Sequence, residues 1–150
     1  MPDYRSWGEA VAEADDPQGE LSLRLLEAVD FPVPEELIQG ELAYEGHSEV
    51  DPESEAWQAA GRRLKLMLIL KRLARNEGLE VEEADVEERI TAKAEEFETK
   101  MEDLRAELEE GGGRVRLKDL LLAENVLGYL LENLREQENN LTGGNYDETL

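Results

Sequence analysis

The stretch Glu55–Gly78 reads EAWQAAGRRLKLMLILKRLARNEG, and the fold of the whole chain depends on how this stretch is covered. At its centre, Met67–Leu70 holds four consecutive apolar residues, and basic clusters lie on either side of them. Successive helical residues are separated by about 100° around the axis, so such a run leaves no clean polar face. We therefore predict a central helix that is either buried on several sides or keeps one apolar side free for binding.

The charge of the chain excludes several classes of partner. Asp and Glu number 38 against 16 Lys and Arg, which gives a formal net charge of -22. This charge repels a phosphate backbone and an anionic lipid surface, so we predict no nucleic-acid partner and no membrane partner. The basic clusters of the central helix are instead expected to pair with acidic neighbours in the fold.

Length, cysteine content and the terminal sequence suggest one cytoplasmic domain. A chain of 150 residues with 40% hydrophobic content has an ordinary domain size and enough material for a core. Cysteine is absent, which excludes a disulfide framework and thiol chemistry. The start MPDYRSWGEA lacks the apolar core of a secretory signal, and no run approaches the roughly 18 apolar residues of a membrane span.

Prolines mark the helices in the N-terminal part of the chain. Residues 1–15 are weakly patterned, and we expect either a frayed end or a short helix docked by Trp7. Asp16 and Pro17 are typical of an N-cap and a first helical position, so they predict the start of a leucine-rich helix. Phe31–Pro34 stops that helix, because a residue that precedes proline is disfavoured in the α region.

The next two helices are predicted from the same signals. Pro34 is expected to occupy the first position of a helix whose first turn is acidic. Asp51 and Pro52 repeat the cap-and-proline pair and are expected to start the central helix. Gly78 is placed where a left-handed C-cap would end it, and a short extended link follows.

The most regular pattern in the chain lies between Glu82 and Glu110 and predicts one long helix or a pair of helices. Its apolar stripe consists of Val86, Ile90, Ala94, Phe97, Met101, Leu104 and Leu108. Gly111–Gly113 then predicts a reversal or a hinge. A last helix with a broad leucine face is expected over about 114–138, and the polar tail 139–150 is expected to be disordered.

No strand pattern of useful length occurs, so the predicted fold is all-α. We expect about five helices as antiparallel neighbours, with one long pair projecting from them. The predicted organisation is a weakly structured segment 1–15, a helical domain 16–138 and a disordered tail 139–150.

The sequence contains no pattern typical of a catalytic, cofactor-binding or metal site. Carboxylates occur throughout the chain, and by their helical phase the glutamate pairs lie on solvated faces. Phosphate-binding, dinucleotide-binding, zinc-protease and calcium-loop motifs are absent. His47 is the only histidine, and we interpret it as a loop residue rather than a metal ligand. We predict no enzyme activity and no cofactor.

The order of three segments resembles the C-terminal chaperone domain of the trigger factor family. They are LSLRLLEAVDFPVPEELIQGEL (21–42), GRRLKLMLILKRLARNEGLEVEEADVEERI (61–90) and LRAELEEGGGRVRLKDLLLAENVLGYLLENL (104–134). The resemblance covers about Leu21–Asn133. It implies an elongated, SurA-like module of helices with helical arms.

The chain departs from the family pattern in several places. The 150 residues contain neither the ribosome-binding domain nor the prolyl isomerase domain, so we expect a stand-alone or excised module that does not dock on ribosomes. Glu82 stands where the family usually has a threonine cap, and the segment 44–51 is shorter than usual. The break that is common near Phe97 is missing, so the long helix is expected to be straighter.

The resemblance implies ATP-independent binding of unfolded or nascent polypeptides in an apolar cradle that prevents their aggregation. The cradle residues that we expect are Ile38, Leu42, Met67, Leu70, Phe97, Met101, Leu104, Leu121, Val126 and Leu130. Only a subset of them can be free, because the same stripes must also supply a core. The negative charge would favour basic or neutral clients.

A second interpretation of the same helices stays open. The stripes could close on one cognate partner or on a second copy of the chain, which would make the protein a helical adaptor or a homodimer. An enzyme is the third class of function, and no arrangement of residues supports it.

Overall fold

The computed structural model describes residues 4–47 and 49–148, with side chains as far as Glu136. A 3₁₀ turn at Tyr4–Trp7 precedes the α-helices. The helices are α1 (Gly8–Glu13), α2 (Pro17–Ala28), α3 (Glu35–Tyr44), α4 (Glu55–Glu77), α5 (Glu83–Glu96), α6 (Met101–Glu110) and α7 (Gly113–Glu148). These described residues contain helices and no strand, so the all-α prediction is confirmed.

The chain divides into two compact units. The first unit consists of Met1–Leu70 and Leu127–Leu150, and the second of Lys71–Val126. The divisions fall within the sequences of α4 and α7.

The N-terminal segment of the first unit is helical. Tyr4 and Val11 are buried while Trp7 is half-buried, so the short-helix alternative agrees with the structure, although Trp7 is not the main anchor. The predicted start of α2 is confirmed. The Asp16 carboxylate accepts a hydrogen bond of 3.1 Å from the Gly19 N–H, which satisfies a donor that the first helical turn leaves free.

Helix α3 begins one residue later than predicted, because Pro34 occupies the N-cap and Glu35 the first helical position. Its other end closes in a Schellman turn, in which the His47 N–H donates to the Leu42 carbonyl at 2.8 Å. Gly46 adopts the left-handed conformation that this turn requires, with φ of 94°. His47 follows the turn and is exposed, as expected of a loop residue.

The start of α4 differs from the prediction. The helix begins at Glu55, and its cap is Ser54, whose hydroxyl accepts a hydrogen bond of 3.2 Å from the Trp57 N–H. The Asp51 carboxylate instead accepts from the Glu53 N–H at 2.9 Å, which folds a turn ahead of the helix. The predicted end is confirmed, since Gly78 has φ of 68° and closes a second Schellman turn.

The core of the first unit includes a contact between α3 and α4. Its buried cluster consists of Ile38, Leu42, Trp57 and Ala60, with Val33, Val50 and Leu64 packed against it. A methyl group added at Gly61 would lie 3.5 Å from the Ile38 side chain, an ordinary van der Waals distance, so the two helices pack closely there.

Of the two alternatives for 82–110, the structure shows the pair of helices, and the expectation of a straighter long helix is wrong. The chain breaks after α5, and Glu98 adopts a left-handed φ of 52° although it is not a glycine. The Thr99 N–H donates to the Ala94 carbonyl at 2.9 Å, which completes a Schellman turn. The break lets α6 pack against α5, so that residues from both helices share one apolar core.

Gly111 and Gly112 form the predicted turn after α6, and Gly113 is the first residue of α7. Gly112 has φ of 72°, and a Cβ atom at Gly113 would lie 2.8 Å from the end of the Leu108 side chain, which would have to shift. Helix α7 then continues to Glu148, beyond the predicted end at Glu138. The disorder expected for the tail 139–150 stays a prediction, and 149–150 lie outside the described residues.

The N-cap of α2 gives a direct test of the first unit. Replacement Asp16→Ala should lower the free energy of unfolding by about 1 kcal/mol, because the Gly19 N–H loses its acceptor. Urea denaturation followed by circular dichroism measures this change. Asp15→Ala removes the same charge from an exposed neighbour and serves as the control. Equal effects of the two replacements would contradict the capping role.

Candidate functional site

The predicted cradle residues differ widely in exposure. The buried members are Ile38, Leu42, Leu70, Leu121, Val126 and Leu130. The half-buried members are Met67, Met101 and Leu104, and Phe97 is 61% exposed. A client can therefore reach only some of the predicted residues while the chain holds this conformation.

The apolar run of the central helix is covered on more than one side. Ile69 and Leu70 are buried, whereas Leu66, Met67 and Leu68 are half-buried. No member of the run is fully exposed, so α4 serves mainly as a core helix.

The predicted residues are shared between the two units. Ile38, Leu42, Met67, Leu70 and Leu130 belong to the first unit, and Phe97, Met101, Leu104, Leu121 and Val126 to the second. Within the second unit, Met101, Leu104 and Leu121 meet in one apolar cluster. The structure thus brings three of the predicted residues together inside the second unit.

Helix α6 covers this cluster without being part of its buried centre. The centre consists of Val81, Val86, Ile90, Leu117 and Leu121. Met101, Leu104 and Leu108 pack against it and are only half-buried, and α6 contains no buried residue. Left-handed residues bound the helix on both sides, Glu98 before it and Gly112 after it. We call the face formed by the five buried residues the α6-covered face.

Ion pairs connect α5 to α6 and to the first turns of α7. The Arg105 guanidinium donates to the Glu87 carboxylate at 2.5 Å, and Arg114 donates to the same carboxylate at 3.1 Å. Arg114 also donates to Glu83 at 2.5 Å, and the Lys118 ammonium lies 3.6 Å from Glu83. Glu87 is therefore the group through which α6 and α7 are both tied to α5.

These contacts shift the acidity of the two carboxyl groups. The pKa of Glu87 is lowered from its ordinary 4.5, first by the hydrogen bond from Arg114 and then by the one from Arg105. The pKa of Glu83 is also lowered, chiefly by the hydrogen bond and the charge of Arg114. Both groups are solvent-accessible, and their contacts give them a structural role.

Each basic cluster of α4 contains a residue that pairs with an acidic group, as expected. Arg63 is bonded to the Glu45 carboxylate in the first unit, and the Lys71 ammonium lies 3.2 Å from the Asp119 carboxylate in the second. Lys65 donates to the backbone carbonyl of Leu26 at 2.9 Å.

Several exposed apolar side chains were not among the predicted residues. They are Leu23, Leu37 and Tyr44 in the first unit, and Val115 and Leu120 in the second. Val115 is the most exposed of them at 66%. Helical spacing marks apolar positions but does not show which of them the fold leaves exposed, so it could not single these residues out.

The first unit also contains an open cleft beside the C-terminal turn of α3. Its volume is about 460 Å³, and its wall combines apolar Leu42, Val50 and Trp57 with polar Gln39, His47 and Glu49.

Across the described side chains, no group of three His, Cys, Asp or Glu is arranged to hold a metal ion. Among the described helices, none is both long enough and apolar enough to cross a membrane.

Comparison with known proteins shows the family. A family model described as the C-terminus of the bacterial trigger factor protein matches residues 41–132. The chain belongs to this family. The resemblance is thereby confirmed, although its N-terminal part, 21–40, lies outside the matched region.

One curated trigger factor shows the extent of the similarity. The trigger factor of Shouchella clausii (strain KSM-K16) is 28% identical over 93 residues. The aligned region covers 62% of this chain and 21% of that trigger factor, so this chain corresponds to a small part of its relative. No solved structure matches the chain.

The lowered pKa of Glu87 predicts a dependence of stability on pH. A carboxyl whose pKa is lowered by folding stabilises the native state above its unfolded pKa, near 4.5, and loses this effect as the pH falls through the folded value. Glu87→Gln should therefore be less stable than the parent at pH 7, and the difference should shrink below about pH 4.5.

Urea denaturation at several pH values between 7 and 3 measures this difference. Glu88→Gln is the matched control, because it removes the same charge from the exposed neighbouring residue. A Glu87→Gln difference that is as large at pH 3 as at pH 7 would refute the role of the ionised carboxylate.

Proposed function

We propose that the protein is an ATP-independent chaperone module that binds exposed apolar segments of unfolded or nascent polypeptides and prevents their aggregation. The observation that carries the proposal is membership of the family described as the trigger factor C-terminus. The aligned region covers 21% of the curated trigger factor, so the match alone does not assign the activity, clients or partners of a whole trigger factor to this chain. For this chain they are our inference.

The exposed apolar side chains of the second unit support the proposal. Phe97, Val115 and Leu120 are 61%, 66% and 45% exposed, so large apolar side chains of this unit are accessible to a client. Phe97 is a rigid, largely accessible aromatic ring, and the Lys93 ammonium lies 5.9 Å from the ring centroid. We infer that Phe97 is a first point of contact for clients.

The net charge supports the same function. An exposed apolar surface promotes self-association, and a charge of -22 opposes it by mutual repulsion between copies. Clients with basic segments gain long-range attraction to such a surface, whereas acidic clients are repelled.

Burial limits which of the predicted cradle residues take part. Phe97 and Met67 are at least partly accessible and remain proposed client contacts, whereas Met101 and Leu104, although half-buried, pack against the buried cluster of the second unit. The buried members serve as core in this conformation, and they reach a client only if the packing around them opens.

Suppression of aggregation tests the proposal. Three unrelated denatured proteins, one of them basic, are diluted from denaturant with and without an excess of the chain, and light scattering is followed. We expect suppression for more than one client, strongest for the basic one. Absence of suppression for every client, with tight binding to one protein or to a second copy, would favour the adaptor alternative.

Replacement of the exposed ring tests the inferred contact. Phe97→Gln should weaken binding to an unfolded client about fivefold, because an aromatic anchor is lost without a change in the core. Phe97→Tyr keeps the ring and should bind like the parent. Fluorescence anisotropy of a labelled client measures both affinities, and equal affinities of Phe97→Gln and the parent would exclude Phe97 as a contact.

A further inference from the structure

We propose that α6 is an internal substitute for a client segment, and that the α6-covered face binds an amphipathic, basic segment of an unfolded chain when α6 is displaced. The proposal deepens the proposed chaperone function and rests on it. It lies entirely within the second unit, where α5, α6 and the first turns of α7 meet.

The packing of α6 is that of a docked segment more than that of a core helix. Its neighbours contribute Val86 and Ile90, each with no exposed surface, whereas α6 contributes no buried residue. Its whole apolar contribution is three half-buried side chains, those of Met101, Leu104 and Leu108. A helix attached by so little apolar area can detach at a lower free energy than the helices beneath it.

The ends of α6 permit detachment without unfolding of its neighbours. A short connection that includes left-handed Glu98 separates it from α5, and Gly111 and Gly112 separate it from α7. Glycine imposes little restriction on backbone direction, so α6 can leave while α5 and α7 keep their own hydrogen bonds. The face that it uncovers consists of Val86, Ile90, Leu117 and Leu121, with Val81 at its edge.

The contacts of α6 specify the occupant of the face. Apolar side chains stand at the first, fourth and eighth positions of the segment, the spacing of a helix that lies in an apolar groove. The fifth position is Arg105, which pairs with Glu87. A client segment with the same apolar spacing and a basic residue at the fifth position would reproduce every one of these contacts.

Charge favours replacement of α6 by a basic segment. Apart from Arg105, the charged residues of α6 are all acidic, and they lie in a strongly acidic chain. The acidic residues of α6 are repelled by the rest of the acidic chain, whereas a client segment with lysine at the same positions would be attracted to it. Helix α6 is thus a weak competitor for its own site, and its retention depends in part on the ion pair between Arg105 and Glu87.

Peptide binding to a variant without the ion pair between Arg105 and Glu87 tests the proposal. The probe is a fluorescein-labelled peptide, MKKLRAKLKK, in which every acidic residue of α6 is replaced by lysine. The control peptide SKKSRAKSKK has the same charge and no large apolar side chains. Arg105→Glu places like charges together at Glu87, and it should raise the affinity for the first peptide about fivefold, since α6 then competes less well.

Arg72→Glu is the matched control variant. Arg72 is an exposed arginine of the same unit, and the replacement adds the same negative charge without touching the Arg105–Glu87 pair. Its affinity for either peptide should stay within about twofold of the parent. If Arg105→Glu proves unfolded by circular dichroism, Arg105→Gln replaces it, with a smaller increase of affinity expected.

The outcomes separate this inference from the function on which it rests. Equal affinities of the Arg105 and Arg72 variants, or equal binding of the two peptides, would overturn the inference even if the parent suppresses aggregation. Failure of the parent and of every variant to suppress aggregation would instead overturn the proposed function.

Discussion

The packing of α5 against the first turns of α7 is the interaction on which the second unit depends. Val86 and Ile90 have no exposed surface, and Leu117 and Leu121 close the same cluster. Aromatic residues make up only 5% of the chain, so small and branched aliphatic side chains must fill this core through close fit. The ion pairs around Glu87 add contacts that connect α5 with α6 and α7.

Much of the fold could be predicted from the sequence, because its main signals are local. Asp16 caps α2 as expected. Gly78 and Gly112 adopt the left-handed conformation, which has little steric cost for glycine because glycine has no Cβ atom. The break after α5 could not be predicted in this way. No proline or glycine marks it, and the left-handed Glu98 is accepted because the apolar stripe of α6 gains a shared core with α5.

The candidate site was less predictable than the fold, and the reason is physical. Helical spacing shows that Ile90 and Met101 lie on one stripe, but it contains no information about which of them is covered. The structure buries Ile90 completely and leaves Met101 half-buried. Exposed Val115 lies off the stripe altogether, so only a tertiary arrangement could reveal it.

A common principle connects stability and the proposed function in the second unit. An apolar face that binds varied segments must be covered when no client is present, since an open face of that kind would associate with itself. In this account, the apolar residues of α6 pack against the face and cover it. Its acidic residues allow a basic client to displace the helix. The strong negative charge of the chain serves both solubility and this exchange.

Hydrogen–deuterium exchange of the backbone amides of Met101–Glu110 tests the central claim most directly. These amides should exchange faster than those of Glu83–Glu96 in the free protein, because α6 has no buried residue. Addition of a saturating basic client should accelerate exchange in α6 further and leave α5 protected. Slower exchange in α6 on client binding would contradict the account, since it would show that α6 is part of the bound state and not its competitor.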